Sequence, residues 1–356
     1  MSIKSKLNTM PESNHVFIIA EAASNWRTGT KNRDLQMARS LIDIASESGA
    51  NAIKFQTYKA ESVYAPGAGS ASYLEKSGLR DSMEDLFTDL AMPYELIAEL
   101  ADYCKFREIE FMSTPFSVSD AEAINPFVRI HKIASYEISH TRLIKYVAHT
   151  GKPLILSTGA CDYEDIEWAM NCFYDSGGKD ISLLQTTARY PAEIGTLNLK
   201  VIPNLIARYN VPVGLSDHSR NPILAPLCAV ALGARIIEKH FTLHNKLPGP
   251  DHYFAVTPPE LATMVKAIRD AEESLGTAVK SVQKSEVELK RFARRSIQTI
   301  RAVKKGDRLE EGVNLDILRP GNKSQGLHPK YISEINDKVA TRDIAIGEGI
   351  FEGDYE

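Results

Sequence analysis

The stretch VPVGLSDHSRNPILAPLCAVALGARIIEKH, residues 211–240, contains two short β-branched runs separated by an apolar helical pattern. It predicts strands over residues 211–215 and 235–240 and a buried helix within residues 222–234. A strand, a helix and a second strand in this order are typical of a parallel βαβ unit. The stretch therefore predicts an α/β protein with a parallel sheet.

The same alternation extends outward from this stretch, from residue 16 to about residue 276. Six further strands are predicted, at residues 16–21, 52–57, 109–113, 128–134, 153–157 and 181–186. Eight strands with interleaved helices over roughly 260 residues match a (β/α)₈ barrel (TIM barrel). A doubly wound open sheet is the alternative fold, but no GxGxxG motif follows the first predicted strand.

The sequence pattern divides the chain into three parts. The last barrel helix begins with a capping box at Thr257 and ends at Gly276, so we expect the barrel domain to span residues 1–276. Residues 277–295 are rich in Lys and Arg and are predicted to be a solvated linker or a linking helix. In residues 296–356, the pattern from Arg301 to Leu309 recurs 41 positions later, from Arg342 to Ile350. This recurrence predicts a small β domain with repeated turns.

The composition excludes several classes of protein. The 42 Lys and Arg against 46 Asp and Glu give a net charge of −4, which offers no electrostatic basis for binding nucleic acid or an anionic membrane. The longest uncharged, mostly apolar run, residues 222–234, is too short to span a bilayer. The N-terminus lacks the apolar stretch of a signal peptide, and the four cysteines form no CxxC pair. We therefore expect a cytoplasmic protein with reduced, mostly buried thiols.

Polar residues concentrate where the predicted strands end, and in a (β/α)₈ barrel these ends form the active-site face. Lys54 and Lys132 come from different strands at this mouth, and a buried cation needs a counter-charge. Hydroxyl donors stand around the same rim, at Thr114, Ser135, Ser157 and Ser216. The pattern predicts a cradle for a phosphate or a carboxylate. The alternative is an internal salt bridge to Glu21, Glu137 or Glu238.

His218 and His240 end adjacent predicted strands, which would bring their rings close enough to share one divalent cation. Glu21 or water would complete an oxygen-rich shell, and such a ligand set suits Mn, Fe, Co or Zn. Glu21, Glu137 and Asp251 are the candidate acid and base groups, because each lies at the predicted mouth.

Eight segments, in their order and spacing, resemble the sialic acid synthase family: IIAEAASNW, AIKFQT, FMSTPF, HKIASYEI, LILSTGA, GLSDHS, IIEKHFT and LPGPDH. Two later segments, RRSIQTIRAVKKGDRL and ILRPGN, resemble the antifreeze-like (SAF) domain of that family. The resemblance covers nearly the whole chain after residue 16. It implies that the protein condenses phosphoenolpyruvate with an N-acylated amino-hexose, typically N-acetylmannosamine, to a nine-carbon 3-deoxy-ulosonic acid and phosphate.

Residue by residue, the resemblance implies a divalent metal, usually Mn²⁺, on His218 and His240, with Glu21 beside the metal and its water. It places six residues around phosphoenolpyruvate: Lys54, Thr114, Lys132, Ser135, Ser157 and Ser216. It places five around the sugar: Asn25, Gln56, Glu137, Tyr190 and Asp251. It also implies a homodimer in which the small domain of one subunit covers the barrel of the other and contributes Arg319.

Two positions depart from the family pattern. Trp26 stands where the family commonly has a histidine, and Ala188 stands where it carries a polar residue. Both changes are expected to reshape the sugar pocket. N-acetylmannosamine and a di-N-acylated 6-deoxy sugar, as used for legionaminic or pseudaminic acid, both stay open as acceptors, and residues 59–82 do not choose between them.

Two other classes of protein also stay open. The first is a Schiff-base aldolase that uses Lys54, Lys132 or Lys239 as the amine. The second is a non-catalytic carbohydrate- or ice-binding protein, which is suggested by the C-terminal domain but leaves the residues of the barrel mouth unexplained.

Overall fold

The computed structural model describes residues 15–69 and 82–356, which form two compact units that divide between Gly276 and Thr277. The expectation about a signal peptide falls on residues 1–14, outside the described residues, and so does the part of the 59–82 segment from residue 70 to 81. Within the described part, no helix combines the length and apolar character needed to cross a membrane.

Eight parallel strands form the first unit: β1 Phe17–Ala23, β2 Ala52–Thr57, β3 Glu110–Pro115, β4 His131–Ile133, β5 Leu154–Ser157, β6 Ile181–Thr186, β7 Val213–Asp217 and β8 Ile236–His240. Their hydrogen-bonded order is β3-β2-β1-β8-β7-β6-β5-β4. Because β1 pairs with β8, the first and last strands close on each other, and β3 and β4 lie side by side at the two ends of the sheet. This nearly closed sheet confirms the predicted (β/α)₈ barrel.

Helices follow the strands and cover the outside of the barrel: α1 Lys31–Glu47, α2 Met83–Leu90, α3 Tyr94–Phe106, α4 Val118–Ile124, α5 Thr141–His149, α6 Tyr163–Asp175, α7 Val201–Tyr209, α8 Leu224–Ala231 and α9 Pro258–Leu275. The longer helices, such as α1 and α9, bury an apolar face. In α1, for example, Ala38, Leu41, Ile42 and Ala45 are buried. The predicted capping box is present at the start of α9, where the Thr257 backbone N–H donates to the Glu260 carboxylate at 2.7 Å.

The barrel interior changes from apolar to polar along the strands. Its lower end is filled by Phe17, Ile19, Ala52, Met112, Ile130, Ile155, Leu184 and Ile236. Two positions further on, the same face of each strand carries a buried polar side chain: Glu21, Lys54, Thr114, Lys132, Ser157, Thr186, Ser216 and Glu238. In β7, Gly214 precedes Ser216 by two, and a Cβ at Gly214 would lie 2.3 Å from the Ile236 carbonyl oxygen. The alternation of strand side chains therefore builds a polar mouth on an apolar plug.

Three local expectations differ from the structure. Strand β4 is shorter than the predicted 128–134, because the Lys152 ammonium donates to the Val128 carbonyl at 2.8 Å and the Val128 N–H donates to the carbonyl of Ile124, the last residue of α4, at 3.2 Å. Strand β7 begins two residues later than predicted and extends to Asp217. The thiols are not mostly buried: among the four cysteines, Cys104 alone is buried, and Cys228 is exposed.

The second unit contains α10 Val287–Ala293, β9 Ser296–Thr299, β10 Leu315–Leu318 and α11 Ile332–Ile335, with β9 and β10 antiparallel. The predicted repeat is visible in its backbone. Val303 and Ile344, 41 positions apart, form an antiparallel bridge with each other. Two further bridges join Gln298 with Gly349 and Arg308 with Val339. The repeat relates these two bridges to each other, because Gln298 and Val339, and likewise Arg308 and Gly349, are also 41 positions apart. The repeated turns place Gly306 at φ 93° and Gly347 at φ 79°, the left-handed region that favours glycine. The two halves of the unit are therefore related by a local pseudo-twofold axis.

Candidate active site

Four buried charged side chains meet at the barrel mouth, each from a different strand. The Lys54 Nζ on β2 lies 2.5 Å from the Glu21 Oε2 on β1 and 3.7 Å from the Glu238 Oε1 on β8. The Lys132 Nζ on β4 lies 3.6 Å from the same Glu238 oxygen. The internal salt bridge weighed as the alternative at the sequence level is therefore present for both lysines, with Glu238 shared between them.

The hydroxyls of the rim connect to this cluster. Lys54 donates to Thr114 Oγ1 and Lys132 donates to Ser157 Oγ, each at 2.8 Å. Ser216 donates to Glu238 Oε1 at 3.1 Å. Ser135 lies one step above, where its Oγ accepts the Gly159 N–H at 2.9 Å.

Lys132 keeps donor capacity toward the mouth. An ammonium has three N–H donors, and within the described residues Lys132 uses one of them in a short hydrogen bond, while its carboxylate partner at 3.6 Å is beyond hydrogen-bond range. Burial lowers the pKa of Lys132 to about 8. Burial alone would also lower the pKa of Lys54, but the carboxylates of Glu21 and Glu238 raise it. An anion placed beside Lys132 would favour its charged form.

The two histidines lie side by side at the ends of β7 and β8. Their ring centroids are 5.5 Å apart. The Thr187 carbonyl oxygen accepts a hydrogen bond from His218 Nδ1 at 2.9 Å, so the proton is on Nδ1 and the Nε2 lone pair is available. His240 Nδ1 is buried and has no hydrogen-bond partner among the described residues; its closest carboxylate is Asp251, at 3.9 Å.

The donor set of the histidine pair fits a divalent metal. Burial lowers the pKa of His218 to about 4 and that of His240 well below its ordinary value, so both imidazoles are neutral near pH 7, as metal ligation requires. The described residues include no group of three or more His, Cys, Asp or Glu side chains that could hold an ion. Two imidazole nitrogens would therefore need oxygen ligands from water or substrate. Glu21 does not complete the shell in this arrangement, because it is paired with Lys54.

Aromatic rings fix the histidine pair from the side. Tyr190 stacks on His218 with ring centroids 4.2 Å apart, and Phe254 lies 5.4 Å from Tyr190 and 5.0 Å from His240. Phe254 and Glu238 are site residues that the sequence interpretation did not select. A signal for Glu238 was available: it precedes His240 by two residues in a strand, so both side chains point to the same face.

Two carboxyl groups above the ion cluster have raised pKa values. Burial raises the pKa of Glu137 and of Asp251 to about 7 each, and Lys132 and Lys54 respectively oppose the rise. Glu137 Oε2 is buried without a hydrogen-bond partner in the described part of the chain. Gln56 donates to Glu21 at 3.4 Å, and Asn25, 1% exposed, donates to the Phe241 carbonyl at 2.8 Å.

Two residues, Trp26 and Lys239, lie elsewhere than the sequence interpretation expected or allowed, whereas Arg319 lies in the second unit as expected. Trp26 is 2% exposed and belongs to the core between strands and helices, so its indole does not line an open sugar pocket. Lys239 points to the outside of β8, where its ammonium lies 2.6 Å from the Asp217 carboxylate. Arg319 is exposed in the second unit, directly after β10.

A parallel barrel with a buried ion cluster and a neutral histidine pair at the C-terminal ends of its strands belongs to the class of (β/α)₈ barrels whose functional groups collect at this face. The chain belongs to the NeuB family, whose model matches residues 41–280, and residues 294–356 match the SAF domain. This assignment confirms the family resemblance drawn from the strand-end segments.

Curated relatives extend over nearly the whole chain. The spore coat polysaccharide biosynthesis protein SpsE of Bacillus subtilis is 39% identical, over 94% of this chain and 92% of its own length. The N,N'-diacetyllegionaminic acid synthase of Campylobacter jejuni is 37% identical, over 94% of this chain and 98% of its own. The pseudaminic acid synthase of the same organism is 36% identical, over 96% and 97%.

A solved structure shows the same fold. The N-acetylneuraminic acid (sialic acid) synthetase of Leptospira borgpetersenii, in complex with citrate, superposes with a TM-score of 0.67 at 34% identity. The match covers 78% of this chain and 90% of that one.

Proposed function

We propose that this protein condenses phosphoenolpyruvate with an N-acylated amino-hexose to give a 3-deoxy-nonulosonic acid and phosphate. The observation that carries the proposal is the presence, at one barrel mouth, of two buried lysines and a neutral histidine pair. The names of the legionaminic and pseudaminic acid synthases, both with coverage above nine-tenths of each chain, support it.

Phosphoenolpyruvate would bind deepest, at the ion cluster. Lys54 and Lys132 supply the cations, and Thr114, Ser157 and Ser216 supply hydroxyls within the same hydrogen-bonded network. Ser135, at the start of the next turn, would extend this cradle toward the rim. Hydrogen bonds between ammonium groups and phosphate or carboxylate oxygens are among the stronger ones, so this cradle can hold a multiply charged anion.

The acceptor sugar would lie above phosphoenolpyruvate, among Gln56, Glu137, Tyr190 and Asp251, with Asn25 supporting the wall. His218 and His240 would hold the divalent metal, for which we propose Mn²⁺. When bound, the metal supplies a Lewis acid that polarises the acceptor's aldehyde carbonyl. Tyr190 and Phe254 keep the two imidazoles in place by packing against them.

The chain's own carboxyl groups would handle the protons. Carbon C3 of the enol attacks the aldehyde carbon, water adds at C2, and the tetrahedral adduct expels phosphate. In this proposal Glu21 would help to activate the water, after release from its pairing with Lys54, while Glu137 or Asp251 would serve the sugar hydroxyls. The pKa values of Glu137 and Asp251, each raised by burial to about 7, match proton transfer near neutral pH.

A homodimer is part of the proposal. The small second unit of one subunit would cover the barrel of the other and bring Arg319 to the acceptor. Arg319 follows directly on a strand and precedes Pro320, so its backbone position is well defined for such a contact.

The experiment that tests the proposal measures phosphate release from phosphoenolpyruvate with Mn²⁺ and a panel of N-acylated amino-hexoses. We expect release with at least one acceptor, loss of release on chelation, and recovery on addition of Mn²⁺. His218→Ala and His240→Ala should each remove activity while the fold, followed by circular dichroism, is kept. Full activity in the metal-stripped double variant would contradict the metal assignment.

A Schiff-base mechanism is the second candidate, because the pKa of Lys132, lowered to about 8 by burial, suits a nucleophilic amine. It predicts a borohydride-trapped adduct on Lys132 and no effect of chelators. If such an adduct forms and chelators do not affect the activity, the result contradicts the proposed metal-dependent condensation and favours the Schiff-base mechanism.

A further inference from the structure

A row of aromatic rings rises from the end of β2 to the barrel mouth. Tyr58 packs against Phe116 and Phe87, with ring centroids 5.2 Å and 4.8 Å apart. Phe87 in turn contacts the edge of Tyr64, at 5.1 Å and an interplanar angle of 82°. Because Tyr58 is buried, this row is supported from below, whereas Tyr64 at its upper end is 41% exposed. Tyr64 is therefore a ring held in place with a free surface.

A second exposed ring approaches from the β4 side. Tyr136, 61% exposed, lies in the single helical turn Ser135–Glu137 that follows β4. Its hydroxyl donates to the Ala188 carbonyl at 3.4 Å, which holds the ring toward the loop after β6. Burial raises the pKa of Tyr64, and Tyr136 and Glu137 raise it further, so the three side chains lie within electrostatic range of one another.

The carboxylate of Glu137, which follows Tyr136 in the same helical turn, has an unused acceptor oxygen. Glu137 Oε2 is buried and accepts no hydrogen bond from the described residues. A ligand with an amide N–H close to a methyl group matches these surroundings. The N–H would donate to Glu137 Oε2, and the methyl group would cover the exposed ring surface of Tyr64 and Tyr136. An N-acetyl group carries both features, with the N–H and the methyl group on either side of one carbonyl carbon.

The position of the two rings selects which N-acetyl group they would contact. In the barrel order, β4 lies opposite β8, so the turn that carries Tyr136 and Glu137 lies across the mouth from the strand end that carries His240. The aldehyde of the acceptor belongs at the histidines under the proposed function. A substituent that reaches Glu137 must then be remote from the aldehyde carbon.

We propose, on the basis of that proposed function, that Tyr64 and Tyr136 form a specificity-determining subsite for a second N-acyl group of the acceptor, remote from its aldehyde, with Glu137 accepting the amide N–H. The acceptor class is then a di-N-acylated amino-hexose, and N-acetylmannosamine, which has one N-acyl group beside its aldehyde end, is a poorer substrate.

The test compares kcat/KM for di-N-acetylated 6-deoxy-hexoses and for N-acetylmannosamine in the wild type and in Tyr64→Ala and Tyr136→Ala. Each Ala variant should lower kcat/KM for the di-N-acetylated acceptor by roughly tenfold, the order expected for a lost apolar contact, and change that for N-acetylmannosamine by less than about twofold. KM for phosphoenolpyruvate should stay constant. Tyr136→Phe, which keeps the ring, should retain the preference. Tyr174→Ala, on the outer helix α6 with a similar exposure of 38%, is the matched control.

The outcomes separate the two levels of the proposal. If the wild type releases phosphate but prefers N-acetylmannosamine, or if both Ala variants lose activity equally with both acceptors, the subsite is wrong and the condensation stands. If no amino-hexose supports phosphate release, the proposed function fails and the subsite falls with it.

Discussion

Glu238 occupies the centre of the barrel mouth, where one of its oxygens is shared by two lysines and a serine. Its second oxygen is buried and unpartnered within the described residues. Burial would raise the pKa of Glu238, but Lys132 and Lys54 lower it. The carboxylate therefore balances the lysines in the free protein, and an anionic ligand has to compete with it.

Replacing Lys132 by Ala should weaken phosphoenolpyruvate binding by about 10- to 100-fold, the range expected for hydrogen bonds to a charged partner. Lys132 is the more informative of the two lysines because it has donors to spare, while Lys54 is engaged with Glu21 and Thr114. Calorimetric titration with phosphoenolpyruvate measures the effect, with Lys266→Ala on the exposed face of α9 as control. Unchanged affinity in both Lys54→Ala and Lys132→Ala would leave the lysines as structural ion pairs.

Acceptor use should depend on the ionisation of Glu137. Its pKa is raised from 4.5 to about 7 by burial, so the carboxylate that accepts a hydrogen bond is lost as the pH falls below about 7. At saturating phosphoenolpyruvate, kcat/KM for the acceptor should decline from pH 8 to pH 6, well above the range of an ordinary glutamate. Glu137→Gln should weaken this decline and have a lower value at pH 8, while the part of the decline that belongs to Asp251, whose pKa burial also raises to about 7, should persist. An identical profile in the variant would assign the dependence to another group.

At the level of residues, the sequence predicted the polar side chains at the strand ends well, because their position follows from the alternation of a strand and the geometry of a barrel. Lys54, Lys132, His218 and His240 all lie at the mouth. Trp26 could not be placed in this way. It follows the strand in a turn, where no periodicity indicates which way a side chain points, and the structure buries it in the core.

At the scale of elements, the junction of β7 and β8 carries charge on both faces. The inner face presents Ser216 and Glu238, and the outer face pairs Asp217 with Lys239. The Lys239 ammonium also donates to the carbonyl oxygens of Ser219 and Asn221, so it ties the loop after β7 to β8. This pairing supports the loop that carries His218.

Lys239→Met should destabilise the fold by about 3–5 kcal/mol, because it leaves the Asp217 carboxylate buried without its partner. Urea unfolding followed by fluorescence measures the loss. Lys266→Met, which breaks an exposed i,i+4 pair with Asp270 on α9, should change stability by no more than about 0.5 kcal/mol. Equal effects of the two substitutions would show that Lys239 is solvated and not part of the fold's support.

All eight barrel strands were predictable from sequence, β2 and β6 with their exact bounds, but the ends of β4 and β7 were not. Apolar runs of β-branched residues identify a strand, but the hydrogen-bond partners that stop it come from distant positions. For β4 the partner is Lys152, whose ammonium donates a hydrogen bond to the Val128 carbonyl oxygen. A lysine 24 residues away gives no local signal in the sequence.

At the scale of the whole molecule, the two units differ in their source of stability. The barrel unit has a large apolar core, whereas the second unit has a core of eight buried residues from Ile297 to Ile350. Domains of this size are marginal alone, so a surface that covers the second unit would add to its stability. The proposed homodimer supplies such a surface.

Subunit exchange tests whether the second unit serves its own barrel or that of a partner. We expect mixing of inactive His218→Ala chains with inactive Arg319→Ala chains to recover activity. In a heterodimer with exchanged domains, one site combines an intact barrel with an intact Arg319, and the other site carries both defects. If each second unit served its own barrel, both sites of the heterodimer would be defective. No recovery, with exchange verified by native mass spectrometry, would exclude the exchanged arrangement.

The apolar side chains beneath the polar mouth fill the barrel at its lower end. Ile19, Ala52, Met112, Leu184 and Ile236 pack together in the lower end. Because the interior of such a barrel is a packed core and not a pore, a molecule that binds at the mouth would enter and leave by the same opening. The depth of each binding position then sets the order in which molecules bind and leave. Under the proposed function, phosphoenolpyruvate would have to arrive before the acceptor that lies above it, and the phosphate left at the cluster would depart last.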